Sequence, residues 1–319
     1  MARRHVMEFE RPLFALEDKV VALKRMDVSA DPELAAEIEA LSAQIEVLRD
    51  QTYRDLGPWD RVQIARHPSR PKTEHYIAAL FDDVLELHGD RSYGDDEAMF
   101  AGLGTFQGRR VVILGHRKGT DTKSNIRRNF GSPHPEGFRK AMRIMQMADK
   151  FGLPIVSFLD TAGAFPGIEA EERGQAWAIA ESLATLSAVG VPVVAVGIGE
   201  GGSGGALAIG FGDRLIMLEN SYYSVISPEA CASILYRDSA QASSAAACLK
   251  MTASDLLGMG IIDEIVPEPV GGAHHDPAAM FVAVGTSVGR ALLELSGIHR
   301  EELVATRYER LRAVGAYAP

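Results

Sequence analysis

The sequence predicts an α/β protein built on a buried parallel sheet with helical crossovers. Three observations predict it. From about residue 98, short apolar runs alternate with amphipathic helical stretches. Residues 154–167 (PIVSFLDTAGAFPG) and 192–205 (PVVAVGIGEGGSGG) then repeat one plan of strand, glycine turn and helix, each opening on a proline that breaks the preceding helix. The second unit passes through a cluster in which five of the seven residues from Gly199 to Gly205 are glycine, and leaves as a small-residue apolar helix.

The elements follow in order. Leu13, Leu16, Val20 and Leu23 recur at three- and four-residue steps, as do Leu34, Ile38, Leu41, Ile45 and Leu48. This heptad-like stripe predicts a helical hairpin, an arm for a partner or for the main body. The break spans residues 27–32, with Asp31 as N-cap and Pro32 at the first helical position. Residues 56–72, rich in Pro and Arg, read as a linker. Residues 73–88 read as one helix with Ile77, Leu80, Phe81, Val84 and Leu85 on its apolar side. Residues 99–106 and 110–116 are strands of a hairpin turning through Gln107-Gly108-Arg109. Helices are expected over 135–151 and 169–189, and strands over 154–159, 191–196, 213–217 and 224–226. A further helix starts near Gly204, and the tail over 277–312 is helical with a polar face crowded by Arg and Glu. The chain divides into an arm and linker (1–72), a main domain (73–276) and a helical tail (277–319).

Composition narrows the function classes. The chain has 319 residues, 46% hydrophobic and 24% charged, which allows a sizeable core. A formal net charge of −10 gives no support for nucleic acid or a membrane surface as partner. An anionic substrate would need a local basic patch, and Arg117, Lys118, Lys123, Arg127 and Arg128 offer one. Cys231 and Cys248 have no metal-ligand spacing and read as small buried residues; no metal site is expected. His88, His116 and His134 read as structural histidines, and Tyr222 and Tyr223 as packing residues near a sheet edge. No secretory h-region is present at the N-terminus, and no stretch approaches the ~20 apolar residues of a membrane span, so the expectation is cytoplasmic.

The glycine cluster fits three chemistries. Gly197, Gly199 and Gly202 match G-x-G-x-x-G, with Glu219 about where a ribose-binding acid is wanted, which would make a dinucleotide site. Ser203 sits in G-x-S-x-G, with Asp263 and His274 or His275 following in hydrolase order. The third is an oxyanion hole: glycine turns on neighbouring strands each offer a backbone N–H to one oxygen, with no side-chain nucleophile or metal. A non-catalytic scaffold subunit is the alternative from another class, and the intact GGSGGA run argues against it.

Longer segments carry a resemblance. LDTAGAFPGIEAEERGQ (159–175) and GEGGSGGALAIGFGD (199–213) resemble the two hallmark segments of biotin-dependent carboxyltransferases. HGDR (88–91), GHRKGTDTKSNIRRNFGSPHPEGFRKA (115–141), YSVISPEACASIL (223–235) and PEPVGGAHHDP (267–277) are similar to one branch, the carboxyltransferase alpha subunit of multi-subunit acetyl-coenzyme A carboxylase. The likeness covers nearly the whole chain.

The resemblance implies a crotonase-like ββα spiral with an N-terminal helical arm and C-terminal helices. It implies transfer of a carboxyl group from carboxybiotin, held on a separate carrier protein, to acetyl-CoA, giving malonyl-CoA for fatty-acid synthesis. Propionyl- or other acyl-CoA carboxyltransferases are the nearest chemical rivals. The implied partners are a zinc-finger-bearing carboxyltransferase beta subunit in an α2β2 assembly, a biotin carboxyl carrier protein and biotin carboxylase. The site implied is half a site: N–H groups of Gly204, Gly205 and Ala206, with a second donor from Gly163–Ala164, stabilise negative charge on the biotin ureido oxygen. Biotin then takes the proton itself, so no protein base is needed. Phe165, Pro166, Gly167, Gly202 and Ser203 would shape the biotin pocket, and Arg127 and Arg128 would meet coenzyme A phosphates, beta-chain acids or solvent. The chain departs from the family at Ala162, where proline is common, and at Phe165, where tyrosine is common; neither removes a backbone donor.

Overall fold

The computed structural model describes residues 5–25 and 32–315. The helical hairpin is present as α1 (Arg11–Leu23) and α2 (Pro32–Arg54), with Leu13, Val20 and Ile45 buried between the helices. The N-cap expected at Asp31 lies outside the described residues. The expected linker is corrected by α3 (Pro58–Ala65), whose Val62 and Ala65 are buried against Tyr222. Pro58 takes the first helical turn, where its missing N–H costs nothing.

The helix expected over 73–88 is also corrected. α4 (Thr73–Leu80) ends as Phe81 turns extended, and β1 (Asp82–Glu86) follows as an edge strand. Val84 and Leu85 stand at helical spacing, but pairing overrides it. Leu85 faces Leu103, and β1 closes on Gly102, where a β-carbon would meet the Leu85 carbonyl at 2.5 Å.

β2 (Met99–Phe106) and β3 (Arg109–His116) form the expected hairpin. The short α5 (Thr122–Arg127), then α6 (Pro135–Phe151), lead to β4 (Ile155–Thr161). The helix expected over 169–189 is split by Gly174, at φ 81°, into α7 (Ile168–Glu172) and α8 (Gln175–Ala188). β5 (Val193–Gly202) runs on through most of the glycine cluster, past the expected end at 196, into α9 (Ser203–Gly210). β6 (Arg214–Leu218) and β7 (Tyr222–Ser224) follow, the latter two residues earlier than expected. After α10 (Pro228–Tyr236), α11 (Ala242–Leu249), α12 (Ala253–Gly258) and β8 (Glu264–Val266), the tail is two helices, α13 (Pro277–Leu295) and α14 (Arg300–Arg312).

The sheet order is β1-β2-β3-β4-β5-β6-β8, with β7 pairing the far end of β5. β1 to β3 are antiparallel; from β3 onward every pair is parallel. The parallel strands are covered on both faces, as their unbroken apolar runs require. In β4, Ile155 and Leu159 point to the layer of α6, α8 and α9, while Val156 and Phe158 point to the layer of α4 and α13. α13 is long and apolar enough to cross a membrane by length and composition, yet it lays Met280, Val284, Val288 and Leu292 on the sheet as a core helix does.

α14 is latched by Arg307, which is 1% exposed and pairs bidentately with Asp213 at 2.8 Å from both Nε and Nη2. Its remaining donors reach the carbonyls of Leu186, Val189 and Val191, so a buried charge is fully partnered. Cys231 is buried as expected, whereas Cys248, expected to be buried too, is exposed.

Candidate active site

The two glycine turns leave adjacent parallel strands at the same level. Thr161 of β4 pairs with Gly201 of β5, so 162–167 and 202–205 emerge side by side. They touch through backbone. A β-carbon on Gly202 would lie 2.0 Å from the Ala162 oxygen, and one on Gly205 would lie 2.5 Å from the Ala164 nitrogen. Real β-carbons do not approach this closely, so both positions demand glycine. Gly163 sits at φ 151°, a further glycine conformation, with Ser203 Cβ at ordinary contact distance, 3.8 Å from the place of its β-carbon.

The free donors follow from helix geometry. α9 starts after Gly202, so the N–H groups of Ser203, Gly204 and Gly205 lack an intrahelical acceptor, whereas that of Ala206 reaches back to the Gly202 carbonyl. On the other turn, Gly163 N–H donates to Thr161 Oγ1 at 3.1 Å and Phe165 N–H to the Pro133 carbonyl at 3.0 Å. The Ala164 N–H between them has no acceptor among the described residues. Among the described residues, open donors therefore stand at Ser203, Gly204, Gly205 and Ala164, while Gly163 and Ala206 are engaged. Half-buried Gly204 sits against Ile179, 3.4 Å from the place of its β-carbon.

His116 ties both turns from β3. Its Nδ1 accepts the Asp160 N–H at 3.4 Å, so its Nε2 carries the proton and donates to the Gly205 carbonyl at 3.1 Å. Complete burial lowers its pKa to about 3, keeping it neutral and structural as expected.

Behind the turns lies an ion cluster that sequence reasoning missed. Lys118 Nζ bridges Asp160 Oδ1 at 2.7 Å and Glu200 Oε1 at 2.6 Å. Glu200 Oε2 accepts from Arg66 Nε at 2.7 Å and from the Tyr222 hydroxyl at 2.6 Å. Burial pushes the Glu200 carboxyl up, but Lys118 and Arg66 overcome it and hold the pKa at about 2. Lys118, Asp160, Glu200 and Arg66 line a cavity of about 380 Å³ that reaches Ala162. One signal was available: an acid stands close before each glycine turn, Asp160 in one and Glu200 in the other. Tyr222 is thus a buried hydrogen-bonding residue, not only a packing one.

The remaining expected residues fall as follows. Phe165 lies on His134, ring centroids 4.2 Å apart. Exposed Pro166 leads to Gly167, which caps the start of α7. Ser203 is exposed with φ 53°. The basic patch is largely neutralised within the chain: Arg117 pairs with Glu74 and Glu86, Arg127 with Glu97 at 2.7 Å, and Arg128 with Glu74. Lys123 is exposed on α5.

The geometry disposes of two templates. Gly197 and Gly199 lie inside β5 against Met217 and Asp160, so no phosphate-binding turn exists there, and Glu219 faces Arg61 at 3.6 Å. Ser203 does sit at a strained strand-to-helix junction, but the other hydrolase residues are engaged elsewhere. Asp263 binds Arg310 at 2.5 Å, and His274 stacks on His67 at 3.8 Å.

Among solved structures, the fold is similar to transcarboxylase 12S, with a TM-score of 0.59 at 18% identity over 73% of this chain and 44% of that one. It is likewise similar to a Pseudomonas malonate decarboxylase heterodimer, with a TM-score of 0.59 at 18% identity over 77% of this chain and 96% of that one. The fold is thus crotonase-like, with two glycine turns paired on neighbouring strands. The sequence model of the acetyl co-enzyme A carboxylase carboxyltransferase-like family matches residues 6–315, and the chain belongs to that family. Curated relatives named acetyl-coenzyme A carboxylase carboxyl transferase subunit alpha bear this out. That of Thermus thermophilus is 51% identical over 98% of this chain and 99% of its own length. That of Bacillus velezensis is 51% identical over 97% and 95%. The chain is accordingly a carboxyltransferase subunit of the alpha type.

Proposed function

We propose that the chain forms the biotin-facing half of a site that carries a carboxyl group to acetyl-CoA, giving malonyl-CoA. The observation that supports this is the backbone contact between the two glycine turns, which brings the Ala164 nitrogen against Gly205 at the start of α9. Carboxybiotin, brought on a separate carrier protein, supplies the carboxyl group. The residues fit it: around the place of a β-carbon on Gly163 only Ser203 Cβ and the Gly202 carbonyl come within 4 Å, and nothing in the donor set needs a metal.

The chain's own part is to bind and orient. Gly204 and Gly205 N–H groups at the start of α9, with Ala164 N–H across from them, would hold the ureido oxygen as negative charge gathers there. Donors fixed by packed backbone need no reorganisation when charge develops, and removing one such donor typically costs ~10²–10³ in rate. Ala206 and Gly163 support the two turns by bonding within them. Phe165, Pro166, Gly167, Gly202 and Ser203 form the walls. Arg127 and Arg128 order α5 through Glu97 and Glu74, which favours a structural role over coenzyme A binding.

The partner would be a zinc-finger-bearing beta chain in an α2β2 assembly, served by a biotin carboxyl carrier protein and biotin carboxylase in the cytoplasm. Ile168 and Trp177, 73% and 70% exposed beside the second turn, suit a covered surface. The test is reconstitution with the beta partner and assay of malonyl-CoA decarboxylation that depends on free biotin. Activity of the pair, absent from either chain alone, supports the reading; an inactive pair overturns it.

A further inference from the structure

The β4–β5 ladder breaks at the level that sets where the two turns stand. Leu159 pairs with Gly197 and Thr161 with Gly201. Between those pairs β4 supplies Asp160 alone, while β5 supplies Ile198, Gly199 and Glu200. Side chains replace the missing backbone pairing. Asp160 Oδ1 accepts the Glu200 N–H at 3.2 Å, and Arg70 Nε donates to the Ile198 carbonyl at 2.7 Å. Asp160 reaches Glu200 only because Gly199 is bare; a β-carbon there would lie 2.5 Å from Asp160 Oδ1.

Lys118 closes this arrangement. Its ammonium touches both carboxylates, each directly upstream of one turn. Its stem is held over Gly131, which is at φ 83° and whose β-carbon would lie 2.8 Å from Lys118 Cγ. The ammonium is therefore placed by a second glycine that exists to admit it. Two nearly buried carboxylates with no cation between them repel, and either spread or share a proton.

We propose that Lys118 is a positioning residue for carboxyl transfer: by clamping Asp160 to Glu200 it sets the spacing of the two donor-bearing turns. This rests on the reading of those turns as the charge-stabilising site. Lys118 acts through the two acids and supplies no donor to the reacting oxygen. A shift of about 1 Å in such donors is enough to cost ~10²-fold in rate. The other groups facing the cluster are Arg66 and Tyr222 beyond Glu200, Arg70, His67 and Lys72 across the cavity, and neutral His116 beside Asp160.

The test uses the chain assembled with its beta partner and measures biotin-dependent malonyl-CoA decarboxylation across pH. Lys118→Met is expected to lower kcat by roughly 10- to 100-fold with KM for malonyl-CoA little changed. Part of the loss should return toward acid pH, where Asp160, left without the Lys118 ammonium, takes a proton. Lys118→Arg, which keeps the cation, should recover much of the rate. Wild-type kcat in Lys118→Met, or a loss identical at every pH, overturns the proposal. If Lys118→Met does not fold, the neutral set Lys118→Met, Asp160→Asn, Glu200→Gln serves instead; reduced kcat without acid recovery supports the clamp, and full kcat overturns it. A wild-type pair with no activity sinks the underlying carboxyl-transfer reading, whereas an active wild type matched by its variants sinks only the role of Lys118.

Discussion

Gly205 and Ala164 meet at a distance that only a hydrogen on Gly205 allows: a β-carbon there would lie 2.5 Å from the Ala164 nitrogen and 2.6 Å from the Gly163 carbonyl carbon. The obstacle is backbone on both counts, so no rotamer change relieves it. Gly205→Ala should push the turns apart and lower kcat of the assembled enzyme by roughly 100-fold, at a stability cost of about 1–3 kcal/mol. Steady-state kinetics and a thermal melt on the same preparation check both.

Acid should loosen the cluster behind the turns. The Glu200 carboxyl is held at a pKa of about 2, below its ordinary 4.5, so the folded state favours its ionised form. A depressed carboxylate contributes stability that is complete above the unfolded pKa and is lost as pH falls through the folded one. The contribution, on the order of 3 kcal/mol, should disappear between about pH 4.5 and 2. Glu200→Gln should flatten that part of a stability-against-pH curve measured by denaturant unfolding.

Arg307 should matter more than its place on a charged helix suggests. It is buried and binds Asp213 and three carbonyls. Arg307→Met would leave Asp213 as a buried charge without its guanidinium, at a cost of about 3–5 kcal/mol. Denaturant unfolding should register the loss, and amide exchange should rise first in α14.

Ser203 should not behave as a nucleophile. Two buried or half-buried imidazoles are committed elsewhere: His116 spends both ring nitrogens on Asp160 and Gly205, and His274 lies on His67. A fluorophosphonate probe should leave Ser203 unmodified by peptide mass analysis, and stoichiometric labelling would revive the hydrolase reading.

Much of the fold was legible because local pattern and tertiary need agree there. The helix over 135–151 and the strand over 99–106 stand as expected, since each carries its period and a clear stop: Gly152 at φ 68° ends the first, and Gln107-Gly108 turns the second. Residues 82–86 misled because five residues are too few to separate a helical from a strand spacing. Their conformation is set by pairing with Gly102, Leu103 and Thr105. At the site, the glycines and both turns were legible, since a missing Cβ is a statement about backbone that sequence carries openly. The acids Asp160 and Glu200 and their bridge Lys118 were not. An ion pair joining residues 42 and 82 positions apart leaves no local period.

The sequence by itself determined the class of fold, the two glycine turns and, through long segments of likeness, the carboxyltransferase family. These rest on backbone permissiveness and apolar periodicity, which act over a few neighbouring residues. Only the tertiary structure decided that α3 packs where a linker was expected, that the basic patch is neutralised, and that Arg307 is core. It also decided that the Ala164 N–H is left open on its turn while those of Gly163 and Ala206 are already bonded. The physical reason is common to all four. Burial and hydrogen-bond satisfaction depend on which distant groups a residue meets, and that is fixed only when the sheet brings β3, β4 and β5 side by side.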